Sequence, residues 1–406
     1  MIRKRTILLY ISTALLFNLA FAQGDKTVPV IFSYDAGVLS VNKSKIKARD
    51  ASLLPAYEQL LKDAEKALNF KPVSVMEKTN TPPGGDKHDY MSLAPYHWPD
   101  PSKPGGIPYI RKDGETNPEV KEYKDKEYLP KVCEAVNTLA LAYYFSDDNK
   151  YADHAEKLIR VWFLDKKTRM NPNLNYAQAI KGINDGRGAG LIDSRHLIKL
   201  VDGIGFLNNS KNWTAEDQRG MIKWFSDFLN WMQTSKNGID EMNAKNNHGV
   251  WYDAQRLSFA LFTSQNDLAK NIVLNVQSRL DKQMDDNGNF PAELERTNSF
   301  HYSVFVVEPL FIIAQMAKHT AVDLWTYTST SGKSLKKGFD ALLPYMTKEK
   351  KWTGKQIKDF DFEEAIPLLV YGAGRYNCST CTAAIKNNMS GKREKLRIQL
   401  VTNINL

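Results

Sequence analysis

Apolar residues recur along most of this chain at helical spacing. In Asp50–Asn69, Leu53, Leu60, Leu61, Ala64 and Leu68 fall near one face, which predicts an amphipathic helix. Glu127–Phe145 repeats the pattern with Val132, Val136, Leu139 and Tyr143. Similar segments cover Lys150–Phe163, Ile192–Leu207, Thr214–Gln233, His248–Thr263, Asp267–Met284, Ser299–Lys318, Lys333–Met346 and a shorter Phe362–Tyr371. Thr214, followed by Glu216 and Asp217, has the form of a helix start with an acidic first turn. Pro309 predicts a kink inside Ser299–Lys318. Strand patterns are few, and Val28–Phe32 is the clearest. Successive amphipathic helices with short links predict antiparallel hairpins. Over this length they can close into a ring, an all-α (α/α) toroid. No fixed repeat of the ankyrin or TPR kind is present.

Two stretches interrupt the helical pattern. The first is a loop at about 71–118, which contains Pro82-Pro83-Gly84-Gly85 and a segment, Tyr90–Pro118, rich in Pro, Gly and aromatics. Long irregular segments of compact proteins are binding loops or disordered, and the aromatic content argues against disorder. Aromatics stack on sugar rings and cations meet carboxylates. His97, Trp98, Tyr109 and Arg111 are therefore candidates to line a cleft for an acidic sugar; the alternative for Trp98 and Tyr109 is that they pin the loop to the core. The second stretch, Asn175–His196, contains GINDGRGAG. It lacks the phosphate-loop pattern and a preceding strand, so nucleotide binding is not indicated. It either presents Arg187 to an anion or leaves it solvated.

Charge and processing signals narrow the setting. Arg3, Lys4 and Arg5 precede an apolar run, Ile7–Leu19, and a small-x-small site at Ala20-Phe21-Ala22, the pattern of a secretory signal peptide. Cleavage there predicts a periplasmic or secreted protein, with residues 23–406 forming a single toroid domain and no stable membrane insertion. It also removes three positive charges, taking the formal +9 to +6. A mildly basic exported protein suits an anionic polymer, whereas no dense basic stripe interleaved with aromatics points to nucleic acid. Cys378 and Cys381 form one C-x-x-C, suited to a structural role after export, and Cys133 sits in an apolar helical pattern. Nothing in the pattern calls for a metal or a cofactor.

The densest polar cluster is Lys245–Gln255, KNNHGVWYDAQ, where Asn246, Asn247 and His248 stand at a predicted helix start. A second, Glu293–Tyr302, carries Arg296 and Tyr302. Together these residues suit β-elimination from a uronic acid polymer. The proton on C5 lies α to a carboxylate. Its removal needs a group that neutralises the carboxylate, a base, and an acid for the departing oxygen. Asn247 and Arg296 suit the first task as hydrogen-bond donors, His248 the second, and Tyr302 the third. Proximity to Arg296 is expected to lower the Tyr302 pKa, which would let it also act as base. Asn246 and Trp251 join the candidates for substrate binding; the plain alternatives are an N-cap for the asparagines and a core position for Trp251. A glycoside hydrolase would use two carboxylates, with Glu293, Glu295 and Asp253 available.

Several ordered segments resemble the secreted alginate lyase family. DYMSLAPYHWPDP (Asp89–Pro101) with GGIPYIRKDGETNPE (Gly105–Glu119) is similar to its N-terminal signature. NNHGVWYDAQ (Asn246–Gln255) and ERTNSFHYS (Glu295–Ser303) are similar to its two catalytic segments. GRGAGLIDSRH and YGAGRYN also resemble family segments, so the likeness runs from about Asp89 to Asn377. The resemblance implies an (α/α) toroid and metal-independent elimination on 1,4-linked uronates. It implies neutralisation by Asn247 and Arg296, His248 as base for anti elimination at guluronate, and Tyr302 as acid. Tyr302 would also be the base for syn elimination at mannuronate. Alternatives are a lyase for glucuronan or another polyuronate, and a non-catalytic polyuronate-binding protein.

Overall fold

A computed structural model of the chain describes residues 29–404 and Leu406; the predicted leader, residues 1–22, lies outside them. Helices dominate: α1 (Ala36–Lys47), α2 (Leu54–Leu68), α3 (Lys124–Ser146), α4 (Asn149–Ile159), α5 (Leu197–Leu207), α6 (Ala215–Thr234), α7 (Lys236–Met242), α8 (Asn247–Phe262), α9 (Asn266–Gln283), α10 (Pro291–Leu294), α11 (Ser299–Ala317), α12 (Leu335–Met346), α13 (Ile366–Tyr376), α14 (Ser379–Asn388) and α15 (Ile398–Val401).

Five of these form an inner ring. Helix α3 packs on α5, α5 on α8, α8 on α11 and α11 on α13. The helices between them form an outer layer, with α4 on α3, α6 and α9 on α8, α12 on α11 and α14 on α13. The two classes follow from their sequences. Outer helix α9 buries Ala269, Ile272, Val273, Val276 and Leu280, one stripe at helical spacing. Inner helices meet protein on nearly every side: in α5 only Lys199 escapes burial, and in α8 only His248. A helix buried all round must satisfy its polar groups internally. In α8, Tyr252 donates its hydroxyl to Met232 O at 2.7 Å and Asp253 accepts from Arg279 Nε at 2.6 Å. The arrangement is the all-α (α/α) toroid that the helical spacing predicts.

Local details depart from expectation. Residues from Pro29 to Phe32 form no strand; the Phe32 N–H instead donates to the buried Asp202 carboxylate at 2.7 Å. Helices α1, α7 and α14 lie outside the predicted segments, being short and weakly patterned. Helix α11 continues through Pro309 to Ala317. Thr214 and Asp217 form a reciprocal capping box at the start of α6. Cys378 and Cys381 are bonded at the start of α14, and Cys133 is buried in α3.

Among the described residues, four short strands sit on the ring's mouth. β1 (Met91–Leu93) pairs in parallel with β4 (Tyr176–Ala179), which ties the two irregular stretches together. β2 (His97–Trp98) and β3 (Ile110–Arg111) form an antiparallel ribbon with His97 opposite Arg111 and Trp98 opposite Ile110. Side chains alternate between the faces of a strand, so His97 and Arg111 share one face and Trp98 takes the other.

Candidate active site

A cavity of about 510 Å³ opens at the mouth of the ring. Helix α8 brings Asn247 and His248 from its first turn, and Asn246 caps it by accepting the His248 N–H at 3.2 Å. Helix α11 brings His301, Tyr302 and Phe305, with Arg296 just before it. The β2–β3 ribbon roofs the cavity with Tyr96, His97 and Arg111, and the glycine-rich stretch adds Gln178, Arg187 and Arg195. Residues separated by some 200 positions thus converge: the Tyr96 and Tyr302 hydroxyls lie 2.8 Å apart.

His248 is fixed from behind. Its Nδ1 lies 2.7 Å from Oε1 of Glu241, which is itself buried. A carboxylate only accepts, so Nδ1 carries a proton, and when the ring is neutral the lone pair falls on Nε2. Asn247 is 1% exposed and donates three hydrogen bonds to the buried Glu293: from its backbone N at 2.5 Å and from Nδ2 at 3.0 and 2.9 Å. Its amide N–H groups are therefore spent on Glu293, and the atom left without a partner is the acceptor Oδ1. The expectation that Asn247 donates to a substrate carboxylate does not match this arrangement. The residue anchors the helix start that carries His248.

Arg296 is likewise engaged. Its Nε and Nη2 donate to Asp113 at 2.7 to 3.1 Å, and its guanidinium lies 3.6 Å from the centre of the Tyr302 ring. Asp113 also accepts from Arg111 and Thr297, and this company holds its carboxyl well below the usual range despite partial burial. The planar fork expected to meet substrate thus already holds a carboxylate. Tyr302 departs from expectation too. Burial and the neighbouring Tyr96 hydroxyl raise its pKa, and the lowering by Arg296 does not overcome them. The phenol holds its proton firmly at neutral pH.

The other predicted residues divide. His97 lines the cavity, 8% exposed, and burial followed by Arg187 and Arg111 lowers its pKa to about 4, so the ring is neutral. Arg111, Arg187 and Asn246 line it as well. Arg187 is half-buried, with Nη2 donating to Gln178 Oε1 at 2.9 Å. Trp98, Tyr109 and Trp251 do not line it. Trp98 faces the other side of the ribbon and donates to Glu115 O at 2.9 Å. Tyr109 is buried in a small satellite core with Leu93, Ala94 and Ile180, its hydroxyl on Glu119. Trp251, one turn beyond His248, lines a second cavity deeper in the ring.

Sequence reasoning missed Tyr96, Asp113, Gln178, Arg195, Glu241 and His301. Tyr96, Asp113, Arg195 and His301 stood inside the family-like segments without a role of their own, whereas Gln178 and Glu241 are common residues in ordinary contexts. The carboxylates also bear on hydrolysis. Glu293 is enclosed on Asn247, and Asp253 is paired with Arg279. The carboxylates lining the cavity are Asp193, held by Lys126, Ser92 and Gln178, and Glu241, held by His248. None of these is an open pair flanking a bond, as two-carboxylate hydrolysis requires.

Residues 74–352 match the alginate lyase family. The fold is similar to that of an alginate lyase from Bacteroides ovatus, with 40% identity and a TM-score of 0.87 over 92% of this chain and 99% of that one. It is also similar to alginate lyase A1-III from Sphingomonas species A1, with 16% identity and a TM-score of 0.54 over 88% and 90%. A His-to-Ala variant of alginate lyase A1-III complexed with a tetrasaccharide gives 16% identity and a TM-score of 0.52 over the same shares. At 16% identity the likeness is one of fold. None of the curated proteins matches the chain.

Proposed function

Because the chain belongs to the alginate lyase family, we propose that it cleaves alginate by β-elimination at the cavity that joins His248 to Tyr302. The polymer lies across the mouth of the ring. The carboxylate of the reacting uronate meets the cationic wall of Arg187, Arg195 and the unpaired Nη1 of Arg296. Positive charge there stabilises the enolate-like intermediate that forms when C5 loses its proton. At guluronate, proton and leaving group lie on opposite faces. His248 Nε2 takes the proton while the Glu241 carboxylate steadies the imidazolium that results. Tyr302 gives its proton to the departing glycosidic oxygen. At mannuronate both lie on one face, and Tyr302 serves both steps, which requires that it first lose its proton. His97, Arg111, Arg187 and Asn246 bind neighbouring sugars. Export to the periplasm or beyond belongs to the same reading, through the leader at residues 1–22.

The observation that carries this reading is the Tyr302 hydroxyl. It is buried and protonated, backed by Tyr96 and Arg296, in one cavity with a histidine whose lone pair is held on Nε2. Incubation with polymannuronate, polyguluronate and glucuronan tests it. Elimination creates a conjugated double bond that absorbs in the ultraviolet. Absorbance with either alginate block is expected. New reducing ends without absorbance would mean hydrolysis, and absorbance with glucuronan alone would move the substrate away from alginate.

A further inference from the structure

A second cavity, of about 400 Å³, lies deeper along the ring axis and meets the first at Arg195 and Phe305, which line both. Its size is within the range of about 300–1,000 Å³ typical of small-molecule sites. Much of its wall is apolar, formed by residues such as Ile198, Phe311 and Leu368. Two charged groups of its wall make no ion pair among the described residues. Glu308 makes no hydrogen bond or ion pair among the described residues; burial raises its pKa, and the nearby charge of Arg195 offsets this only in part. Among the described residues the Arg195 guanidinium donates only to the carbonyl of Ile192, three residues back; it stands over the Phe305 ring at 5.7 Å and feels Asp193 and Glu308 without an ion pair to either. Trp251 is 4% exposed and gives the cavity ring surface, its Nε1 being sealed off from the space. By contrast, Lys199 and Arg397, also lining this cavity, are both held by Glu134.

A guanidinium and a carboxyl that line one cavity without a hydrogen bond to each other leave N–H groups and lone pairs open to a ligand. One ligand can satisfy both. That ligand must offer an anionic acceptor to Arg195, hydroxyl donors to Glu308, and an apolar face to the rings of Phe305 and Trp251, which stand 5.2 Å apart. A sugar acid has all three: a carboxylate, vicinal hydroxyls and a C–H face. Uncharged amphiphiles leave Arg195 unmet, and simple fatty acids leave Glu308 unmet. We propose that this second cavity is a separate binding site for a short uronate, one or two sugars long, of the kind released in the cleft. The identity of the ligand rests on the lyase reading; the existence of a site does not. Occupancy would put a product carboxylate against Arg195, a wall of the reaction cavity, and so couple product level to the affinity for polymer.

Isothermal titration with dimannuronate tests it on wild type, Glu308→Gln and Ile312→Trp. Ile312 lines the second cavity only and is half-buried, so a tryptophan there fills the space. Two classes of site are expected in wild type. One of them should weaken by about tenfold or more in each variant, with initial rates on polymer unchanged. Glu308→Gln keeps shape and volume, so it reports on the site even if Ile312→Trp fails to fold. A single class of site in wild type, or two classes unchanged in Glu308→Gln, overturns the proposal. The lyase reading is scored separately by ultraviolet absorbance. Cleavage with an unaltered isotherm removes the second site and keeps the lyase; a lost site without cleavage of any polyuronate does the reverse.

Discussion

Replacing Glu241 with glutamine separates the two proposed routes. Glu241 is 3% exposed, and its contact with His248 Nδ1 is 2.7 Å long. Glutamine keeps the shape and can still accept the Nδ1 proton, so the ring stays in place. What is lost is the negative charge opposite an imidazole that becomes positive as it takes the C5 proton. A hydrogen bond to a charged group is worth about 1.5–3 kcal/mol, and each 1.36 kcal/mol is about tenfold in rate. The expected loss in kcat on polyguluronate is therefore about 10- to 150-fold. The loss should appear in kcat, because the charge on His248 exists in the transition state and not in the bound substrate. On polymannuronate, where Tyr302 serves both steps, the change should be within about threefold. Initial rates of ultraviolet absorbance on the two block polymers measure both numbers. Equal losses on the two polymers, or a loss under about twofold on polyguluronate, would refute His248 as the base and Glu241 as the residue that positions it.

Tyr302→Phe is expected to reduce turnover on both polymers by at least about a thousandfold while leaving polymer affinity within a few-fold, measured by titration, since only the hydroxyl is lost; full activity would refute its role as acid. The raised Tyr302 pKa predicts a difference in pH profile. Because the mannuronate route needs the phenolate, its rate should keep climbing on the alkaline side, by up to about tenfold per pH unit, where the guluronate rate has levelled. Parallel profiles would count against the division. Asp113→Asn should destabilise the protein by about 1.5–3 kcal/mol at neutral pH, read as the denaturant midpoint. The folded Asp113 pKa is depressed, so its contribution is present above the unfolded value of about 3.9 and is lost as pH falls through the folded value. The gap between wild type and Asp113→Asn should thus narrow progressively as pH falls below about 4, and a gap that stays constant over that range would place the stabilisation elsewhere.

The helical ring was legible because its signal is redundant. Burial of one stripe on α9, or of nearly every face of α8, is written in the residues themselves. The elements that failed to show were those whose stability comes from tertiary contact: α1, α7 and the strands of two to four residues that close the mouth. Asn247, His248, Arg296 and Tyr302 were found because rare polar clusters stood beside apolar helices. Their partners were not, since Glu241 and Asp113 carry no local mark and acquire meaning only by distance. This also explains the roles that shifted. From sequence, Asn247 and Arg296 are free donors; in the fold, Glu293 and Asp113 have claimed most of their N–H groups. Trp98 could not be resolved from one residue, because which face of a two-residue strand looks inward depends on a register set by His97 and Arg111.

With those donors engaged, the positive potential of the cleft must come largely from elsewhere, and the ring supplies it. Lys126 in the first turn of α3, Arg195 just before α5, His248 in the first turn of α8 and Tyr302 in the first turn of α11 all line the cleft. Later residues of the same helices, Asn137, Ile198, Trp251 and Glu308, line the deeper cavity. Four inner helices therefore run in one direction, with their N-termini gathered at the reaction cavity. Each such terminus favours a nearby anion by about 0.3–1 kcal/mol, and helix direction, unlike a long side chain, costs nothing to hold in place when substrate arrives. The half-buried guanidiniums of Arg187 and Arg195, neither paired with a carboxylate, add to the same field. This preorganised potential is what an enolate-forming reaction needs, because charge that develops at C5 meets dipoles already aligned. It also explains how Asp113 and Glu293 can sit so close to the site without making it repel a polyanion: each is matched by the donors it holds, leaving the helix termini and two free guanidiniums to set the sign.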